Sequence, residues 1–265
     1  MIVAVDVGNT NVTLGIVGGG DVTSARRATT RPNATPDELE ITLNELLALD
    51  GAALSSVDEI VLASVVPAVT ATLFGVVARH KIPLLVADAT TVPIPVRIEK
   101  PAEAGADRLV NAFAALRLHG APAIVVDFGT ATNFDVVSAD GAYIGGALAP
   151  GLELGIEALA AKTAKLPRVA LVMPQEAIGR DTISAIQSGA VIGYIGLVSE
   201  LVRAITRQLA LDSAQPPKVI VTGGLSQAAW ASAIPGVDVI DPLLTLRGLA
   251  LLHAEVRRSE SVASA

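Results

Sequence analysis

Two short stretches of the sequence place an aspartate at the end of an apolar strand and follow it with glycine and polar residues. The first reads IVAVDVGNTN and the second AIVVDFGTATN, so that Asp6 aligns with Asp127 and Gly8 with Gly129. A carboxylate at the end of a buried strand is unfavourable unless it is hydrogen-bonded or binds a cation. Glycine lets a ligand approach the backbone, and exposed N–H groups and hydroxyls suit phosphate oxygens. The two stretches therefore predict a site for a phosphate chain and a cation.

We call residues 6–11 the first acidic turn and residues 127–132 the second acidic turn. A single turn of this kind is more often a plain hairpin in which the aspartate only shapes the turn. Two copies in register reverse that preference, and they align without gaps, with Asn9 falling on Thr130. We therefore expect a duplicated unit whose two turns hold one phosphate chain from both sides, with an aspartate-bound cation bridging it.

A third polar segment, GADR, places a carboxylate and a guanidinium side by side in a short loop. Asp107 follows Gly105 in a turn before a predicted helix over 108–118, where a carboxylate can take the proton from an alcohol. The same position is also an ordinary one for a helix N-cap, and the two roles can coexist. Arg108 can bind an anionic substrate through two hydrogen bonds, or it can form a simple ion pair.

Hydrophobic periodicity predicts the elements that position these residues. In the first half they are a hairpin over 2–18, a strand near 21–27, helices over 37–49, 68–80 and 107–118, and strands over 58–66 and 83–87. In the second half they are a hairpin from 121, helices over 152–161, 182–209 and 244–257, a helix after Ser226, and strands in PKVIVTGG and over 237–240. We expect Thr35 to cap the helix over 37–49 and the polar tail 259–265 to fray. This order predicts an α/β protein with domains 1–118 and 119–265.

Composition narrows the class of protein. The 265 residues are 51% hydrophobic and only 3% aromatic, which excludes natural disorder and favours strand and helix layers built from small and branched side chains. The absence of cysteine excludes disulfides, thiolate metal sites and cysteine nucleophiles. A net charge of −7 without a basic cluster argues against nucleic-acid binding. The start has no signal-peptide pattern, and the most apolar stretch, 190–202, falls short of the ~20 residues of a membrane span, so we expect a cytoplasmic protein without a membrane partner.

Several motifs together resemble the type III pantothenate kinases. In order they are DVGNTN at 6–11, GADR at 105–108, DFGTATNFD at 127–135, GGALAPG at 145–151, QSGAVIGY at 187–194, VTGG at 221–224 and LTLRGL at 244–249. The family lies within the actin, sugar-kinase and Hsp70 superfamily. The resemblance implies two duplicated ribonuclease-H-like, or actin-like ATPase, domains that clasp ATP in an interdomain cleft.

The same resemblance implies a reaction and a set of site residues. The reaction is the ATP-dependent phosphorylation of pantothenate to 4′-phosphopantothenate, the first step of coenzyme A biosynthesis, with Mg²⁺ and a monovalent cation, K⁺ or NH₄⁺. Asp107 is implied as the general base, Asp6 as a Mg²⁺ residue near the phosphates, and Asp127 as the residue that holds the monovalent cation. The implied pantothenate-binding residues are Gly105, Ala106, Asp107, Arg108 and, from the second subunit of a homodimer, Thr182. The implied ATP-binding residues are Asp6, Val7, Gly8, Asn9, Thr10, Asn11, Val12, Thr13, Thr130, Gly223 and Gly224.

Three positions depart from the pattern of the family. Ile98 stands near the place of a frequent tyrosine, Lys100 where asparagine is common, and Asp181 where asparagine usually precedes Thr182. Two alternatives therefore stay open: a non-catalytic, nucleotide-binding regulatory relative, and a kinase of another small alcohol. An assay with ATP and pantothenate separates the first from an enzyme, and the identity of the phosphorylated acceptor separates the second.

Overall fold

Each of the two apolar hairpins forms the centre of a five-stranded mixed sheet. The computed structural model describes residues 1–163 and 166–263. Its contacts divide the chain into two compact units, one formed by residues 1–114 with the C-terminal residues from 243 onward, the other by residues 115–242. The two units are described separately below.

The first unit contains the sheet that carries the first acidic turn. Its strand order is β3-β2-β1-β4-β5, in which β1 is antiparallel to β2 and parallel to β4. The bounds are β1 (Ile2–Val7), β2 (Asn11–Gly18), β3 (Asp21–Thr29), β4 (Glu59–Ser64) and β5 (Leu84–Val86), with helices α1 (Pro36–Ala48), α2 (Pro67–His80) and α3 (Ala106–His119). Val3, Val5 and Val7 of β1 share a core with the leucines and valines of α1 and α2. The expected cap of α1 is confirmed, since Thr35 and Glu38 form a reciprocal capping box.

The C-terminal helix α7 (Leu244–Ala263) also packs against this first sheet, on the face opposite α1 and α2. Leu246 lies against Gly15, and Gly248 lies so close to Val110 of α3 that a Cβ there would be 2.6 Å from the Val110 Cγ1 atom. The sequence analysis placed this helix in the second domain, whereas its buried leucines group it with the first unit.

The last turns of α7 contact the first sheet, and the helix extends further along the chain than predicted. Glu59, at the start of β4, is buried and lies 3.1 Å from both the His253 Nε2 and the Arg257 Nε atoms, which ties the last turns of α7 to the sheet. The polar tail predicted to fray is helical as far as residue 263. Residues 264 and 265 lie outside the described residues.

The second unit repeats the strand order of the first. Its sheet has the order β10-β9-β6-β7-β8, with β6 antiparallel to β7 and parallel to β9. The bounds are β6 (Ala123–Phe128), β7 (Ala131–Val137), β8 (Tyr143–Pro150), β9 (Lys218–Thr222) and β10 (Val239–Ile240), with helices α4 (Leu152–Lys162), α5 (Thr182–Gln187) and α6 (Gly193–Leu209). The predicted duplication and α/β class are confirmed. The helix expected after Ser226 is absent, because the chain forms turns there and a single 3₁₀ turn at Ala231–Ala233.

Helices α5 and α6 are joined by a π-helical turn, Ser188–Ile192, into one long helical stretch over Thr182–Leu209. By length and composition alone this stretch could cross a membrane, which the sequence analysis did not expect. One third of its most apolar window is buried inside the protein. Tyr194, Val198 and Val202 are among the side chains that pack into the core of the second unit.

Candidate active site

The first acidic turn lies at the carboxyl end of β1, the central strand of its sheet. Asp6 is half-buried and pairs with Thr13, and Val7 pairs with Val12. The Gly8 N–H donates to the Asn11 carbonyl oxygen at 2.9 Å and closes the turn. Asn9 and Thr10 are exposed at its tip, whereas the side chains of Val7 and Val12 are buried in the core. The turn therefore offers polar side chains and backbone groups at its tip, with an apolar base beneath them.

Thr30 braces this turn from the end of the third strand. Its N–H donates to the Thr10 carbonyl oxygen at 2.8 Å, and its hydroxyl donates to the Gly8 carbonyl oxygen at 2.6 Å. The side chain is buried. Sequence reasoning missed Thr30, because its contact with the turn depends on the pairing of β2 with β3.

The second acidic turn has the same position on β6 but is one residue shorter. Asp127 pairs with Asn133, whereas Asp6 pairs with Thr13, so the second hairpin reverses in one residue fewer. The Gly129 N–H donates to the Ala131 carbonyl oxygen at 3.1 Å and closes this tighter turn. The gapless alignment is therefore wrong by one residue after the turn.

Gly151 supports the second acidic turn from the end of β8. Its N–H donates to the Thr130 carbonyl oxygen at 3.1 Å. A Cβ at this position would lie 2.4 Å from that oxygen and 2.5 Å from the Gly129 carbonyl oxygen, so a side chain cannot be accommodated without moving the turn. The GGALAPG motif thus ends in a residue that must be glycine for a packing reason, and the Thr130 side chain stays exposed.

The VTGG segment brings a second glycine against the Asp127 carboxylate. Because β9 runs parallel to β6, Thr222 pairs with Asp127 and the chain turns at Gly223 beside it. Gly223 has φ +90°, and a Cβ there would lie 2.3 Å from the Asp127 Oδ1 atom. Gly224 follows and is exposed. The structure therefore gathers Asp127, the second acidic turn and the Gly223–Gly224 turn at one edge of this sheet.

The GADR loop lies near the first acidic turn within the first unit. A Cβ at Gly105 would be 2.6 Å from the Asp107 Oδ1 atom and 3.6 Å from the Val65 Cγ1 atom. The Val65 N–H donates to the carbonyl oxygen of Val7, the residue before Gly8, at 3.0 Å. Two of the segments predicted from the sequence are therefore neighbours at the carboxyl ends of β1 and β4.

Asp107 is not the N-cap residue of α3, which begins at Ala106. Its Oδ1 atom accepts a hydrogen bond from the Arg108 N–H at 2.8 Å. Burial raises the pKa of the Asp107 carboxyl above its ordinary value of 3.8, against the opposing effects of the Arg108 N–H and the Arg108 charge. A carboxylate with a raised pKa is a stronger base, which suits the acceptance of a proton from an alcohol.

Thr182 is exposed at the first position of α5. The preceding Asp181 is the N-cap, since its Oδ1 atom accepts from the Ser184 N–H at 2.9 Å. Hydrogen bonds from Ser184 hold the pKa of Asp181 below its usual value, so this departure from the family pattern keeps its negative charge.

The candidate cation ligands of the two turns are the carboxylates of Asp6 and Asp127. Within the described residues no group of three or more histidine, cysteine, aspartate or glutamate side chains is arranged to hold a metal ion. Asp6 and Asp127 are single half-buried carboxylates, each beside a turn with exposed polar groups. Such a donor set fits a hydrated or phosphate-bound cation rather than a site closed by the protein alone.

The repeated sheets and the acidic turns define the actin-like ATPase fold. Similar solved structures include the activator of 2-hydroxyisocaproyl-CoA dehydratase from Clostridium difficile with bound ADPNP, with a TM-score of 0.55 and 13% identity over 100% of this chain and 97% of that one. MreB5 of Spiroplasma citri bound to ADP has a TM-score of 0.54 and 12% identity over 98% of each chain.

Sequence comparison narrows the fold to one family. The family model for type III pantothenate kinase matches residues 2–204. The type III pantothenate kinase of Thermomicrobium roseum is 43% identical over 261 residues, covering 98% of this chain and 99% of that protein. That of Rhodospirillum rubrum is 43% identical over 256 residues, covering 96% and 98%. The chain belongs to the type III pantothenate kinase family.

The half-buried Asp107 carboxyl leads to a prediction about the thermal stability of the protein. The Asp107 carboxyl has a higher pKa in the folded state than the ordinary value of 3.8. The stability contributed by its protonated form is therefore complete below the ordinary pKa, and it is lost as the pH rises through the folded-state pKa. We expect Asp107→Asn to unfold at a higher temperature than the parent at neutral pH, and the difference to shrink at about pH 4. Thermal unfolding followed by circular dichroism at both pH values measures this. A variant less stable than the parent at neutral pH would contradict it.

Proposed function

We propose that this chain transfers the γ-phosphoryl group of ATP to the primary hydroxyl of pantothenate, giving 4′-phosphopantothenate in the first step of coenzyme A biosynthesis. The observation that carries the proposal is the half-buried Asp107 carboxylate, whose pKa is raised by burial and whose loop lies beside the first acidic turn. Membership of the type III pantothenate kinase family supports the choice of substrate.

ATP is proposed to bind through both acidic turns. Gly8 and Asn11 contribute backbone groups, the exposed Asn9 and Thr10 contribute side chains, and Thr130 contributes its hydroxyl in the second turn. The buried Val7 and Val12 side chains limit those residues to backbone contacts. Thr13 of β2, which pairs with Asp6, is proposed to contact ATP beside the first turn, and Gly223 and Gly224 are proposed to face the adenosine.

Two carboxylates are proposed to serve the cations. Asp6 would hold Mg²⁺ near the phosphates, and Asp127 would hold K⁺ or NH₄⁺. Each carboxylate is half-buried at the end of a strand. A bound cation would offset the unfavourable free energy of this partly buried negative charge. When bound, these cations neutralise negative charge on the phosphates.

The GADR loop is proposed to bind and activate pantothenate. Asp107 takes the proton of the primary hydroxyl, and its burial makes it a better base than an exposed aspartate. Arg108 binds the pantothenate carboxylate, because a guanidinium can donate two parallel hydrogen bonds to it. Gly105 and Ala106 are proposed to line the substrate with backbone, and a side chain at Gly105 would collide with the Asp107 carboxylate.

A homodimer is proposed because Thr182 is exposed and the helix that follows presents an uncovered small-residue surface. Gly189, Gly193 and Gly196 have open space around them, and Ile192 beside them is 38% exposed. Glycines at this spacing allow two helices to approach closely, and Thr182 would then reach the substrate of the partner subunit.

The same contact would cover the apolar surface of a helix long enough for a membrane, so we propose a cytoplasmic enzyme without membrane or nucleic-acid partners.

The dimer is tested by light scattering coupled to size exclusion. The protein should have twice the chain mass of 26.9 kDa. Ile192→Lys should shift it toward the monomer, because it places a charge in the contact. Leu211→Lys is the matched control, since Leu211 lies beyond the end of α6 and is 84% exposed. A monomeric parent protein, or a dimer unchanged by Ile192→Lys, would refute this contact.

Turnover of the Asp107→Asn variant tests the proposed function. The amide cannot accept the hydroxyl proton, so kcat for ADP formation with pantothenate should fall roughly 10²- to 10⁴-fold while ATP still binds. Product mass from a panel of alcohols with ATP, Mg²⁺ and K⁺ identifies the acceptor. Asp58→Asn is a suitable control, because Asp58 is an exposed carboxylate that pairs with the N-terminal amine at the start of β4. Near-normal turnover would remove Asp107 from the role of base, and phosphorylation of another alcohol alone would replace pantothenate as substrate.

A further inference from the structure

A buried hydroxyl pair joins the last residue of the second acidic turn to helix α6. Thr132, at the start of β7, is fully buried, and its Oγ1 atom lies 2.6 Å from the Tyr194 hydroxyl oxygen. The same Oγ1 atom lies 3.4 Å from the Pro150 carbonyl oxygen. Because a carbonyl oxygen can only accept, Thr132 donates to Pro150 and Tyr194 donates to Thr132. The two hydroxyls thus form a directed chain from α6 to the end of β8.

This chain of hydrogen bonds ends beside the tip of the second acidic turn. Gly151, directly after Pro150, donates its N–H to the Thr130 carbonyl oxygen at 3.1 Å and leaves no room for a side chain there. A shift of the Pro150 carbonyl would therefore move Gly151 and the turn together. The Tyr194 hydroxyl of α6 is linked to that carbonyl through Thr132, in addition to the pairing of Pro150 with Ala131 between β8 and β7.

The ring of Tyr194 makes a second connection to the site. It contacts Phe128 with ring centroids 5.6 Å apart and Trp230 with centroids 5.5 Å apart, and Phe128 and Trp230 also contact each other at 5.6 Å. Phe128 lies between Asp127 and the glycine of the turn. Trp230 follows the Gly223–Gly224 turn along the chain. Tyr194 therefore packs against Phe128 of the second acidic turn and against Trp230, six residues beyond Gly224.

We propose that Tyr194 is a positioning residue for nucleotide binding, whose hydroxyl fixes the second acidic turn through Thr132 and Pro150. The inference rests on the proposed function, because it assumes that this turn contacts the phosphates. Burial raises the pKa of Tyr194 to about 12, so the hydroxyl keeps its proton and remains a donor at neutral pH.

The Tyr194→Phe variant removes the hydroxyl and keeps the ring. The dissociation constant of a non-hydrolysable ATP analogue with Mg²⁺ should rise roughly threefold to tenfold, as expected for one lost hydrogen bond. The KM for ATP should rise with it, while the KM for pantothenate changes by less than about twofold, since the GADR loop is in the other unit. Equal affinity for the analogue in parent and variant would overturn the proposal.

Tyr143→Phe is the matched control for a general loss of stability. Tyr143 is also fully buried, and its hydroxyl donates to the Asp135 Oδ1 atom at 3.2 Å, at the end of β8 opposite Pro150. This variant should lower the unfolding temperature and leave nucleotide affinity unchanged. The same loss of affinity in Tyr143→Phe would show that any buried hydroxyl of this sheet has the effect, and would overturn a specific role for Tyr194.

Thr132 provides an approach from the other side of the same hydrogen bond. Thr132→Val should weaken analogue binding as Tyr194→Phe does, and Thr132→Ser, which keeps the hydroxyl, should restore it. The double variant Tyr194→Phe with Thr132→Val should bind as weakly as Thr132→Val alone, because both changes interrupt one chain. Additive losses, or a failure of serine to restore binding, would overturn the proposed chain.

Fluorescence of Trp230, the single tryptophan of the sequence, gives a readout that does not depend on catalysis. Binding of the analogue should change the emission of the parent protein, and titration of Tyr194→Phe should reach the same change at a higher concentration. If the parent protein binds no analogue, the proposed function fails and this inference with it. If the parent protein binds it and Tyr194→Phe binds equally well, only this inference fails.

Discussion

The structure depends on a carboxylate held at the carboxyl end of the central strand in each sheet. Such a group loses favourable hydration when the strand is buried, and it needs a cation or hydrogen-bond donors in return. Asp6 and Asp127 occupy equivalent places, each half-buried beside a turn in which a glycine N–H donates to a backbone carbonyl oxygen. A parallel neighbouring strand on one side brings a further loop to the same edge. That loop contains Val65 in the first unit and Gly223 in the second.

Local sequence signals predicted the elements around these carboxylates well. The hairpins follow from β-branched runs interrupted by glycine and polar residues, and α1 follows from helical spacing behind a capping pair at Thr35 and Glu38. These features are determined by residues close together in the chain, so one sequence is enough to find them. The same holds for Asp181, whose side chain caps the helix that begins one residue later.

The parts that were not predicted depend on contacts between distant residues. The second turn is one residue shorter because of how β6 and β7 pair, which the aligned letters do not reveal. The return of α7 to the first sheet depends on the fit of Gly248 against Val110, more than a hundred residues away. The hydrogen bond between Thr132 and Tyr194 joins residues 62 positions apart. A buried threonine and a helix tyrosine give no periodic signal of such a partnership.

The sequence identified Asp107 as a candidate site residue but did not determine its role. Its place before a helix and after glycine identified it as a carboxylate of interest, yet the same place was equally suited to an N-cap. The structure separates these roles, because α3 begins one residue before Asp107 and the carboxyl is half-buried. Burial, which no local pattern encodes, is what makes this group a stronger base than its neighbours on the surface.

The central proposal is that the Asp6 and Asp127 carboxylates each support nucleotide binding through a bound cation. Calorimetric titration of a non-hydrolysable ATP analogue into the parent protein, Asp6→Asn and Asp127→Asn, with and without Mg²⁺ and K⁺, tests it directly. The account predicts one nucleotide per chain and, with the cations present, an affinity roughly tenfold lower or more in each variant. Without the cations this loss should disappear, because the carboxylates then only repel the phosphates. Full affinity in either variant with the cations present, or two independent nucleotides per chain, would contradict the account.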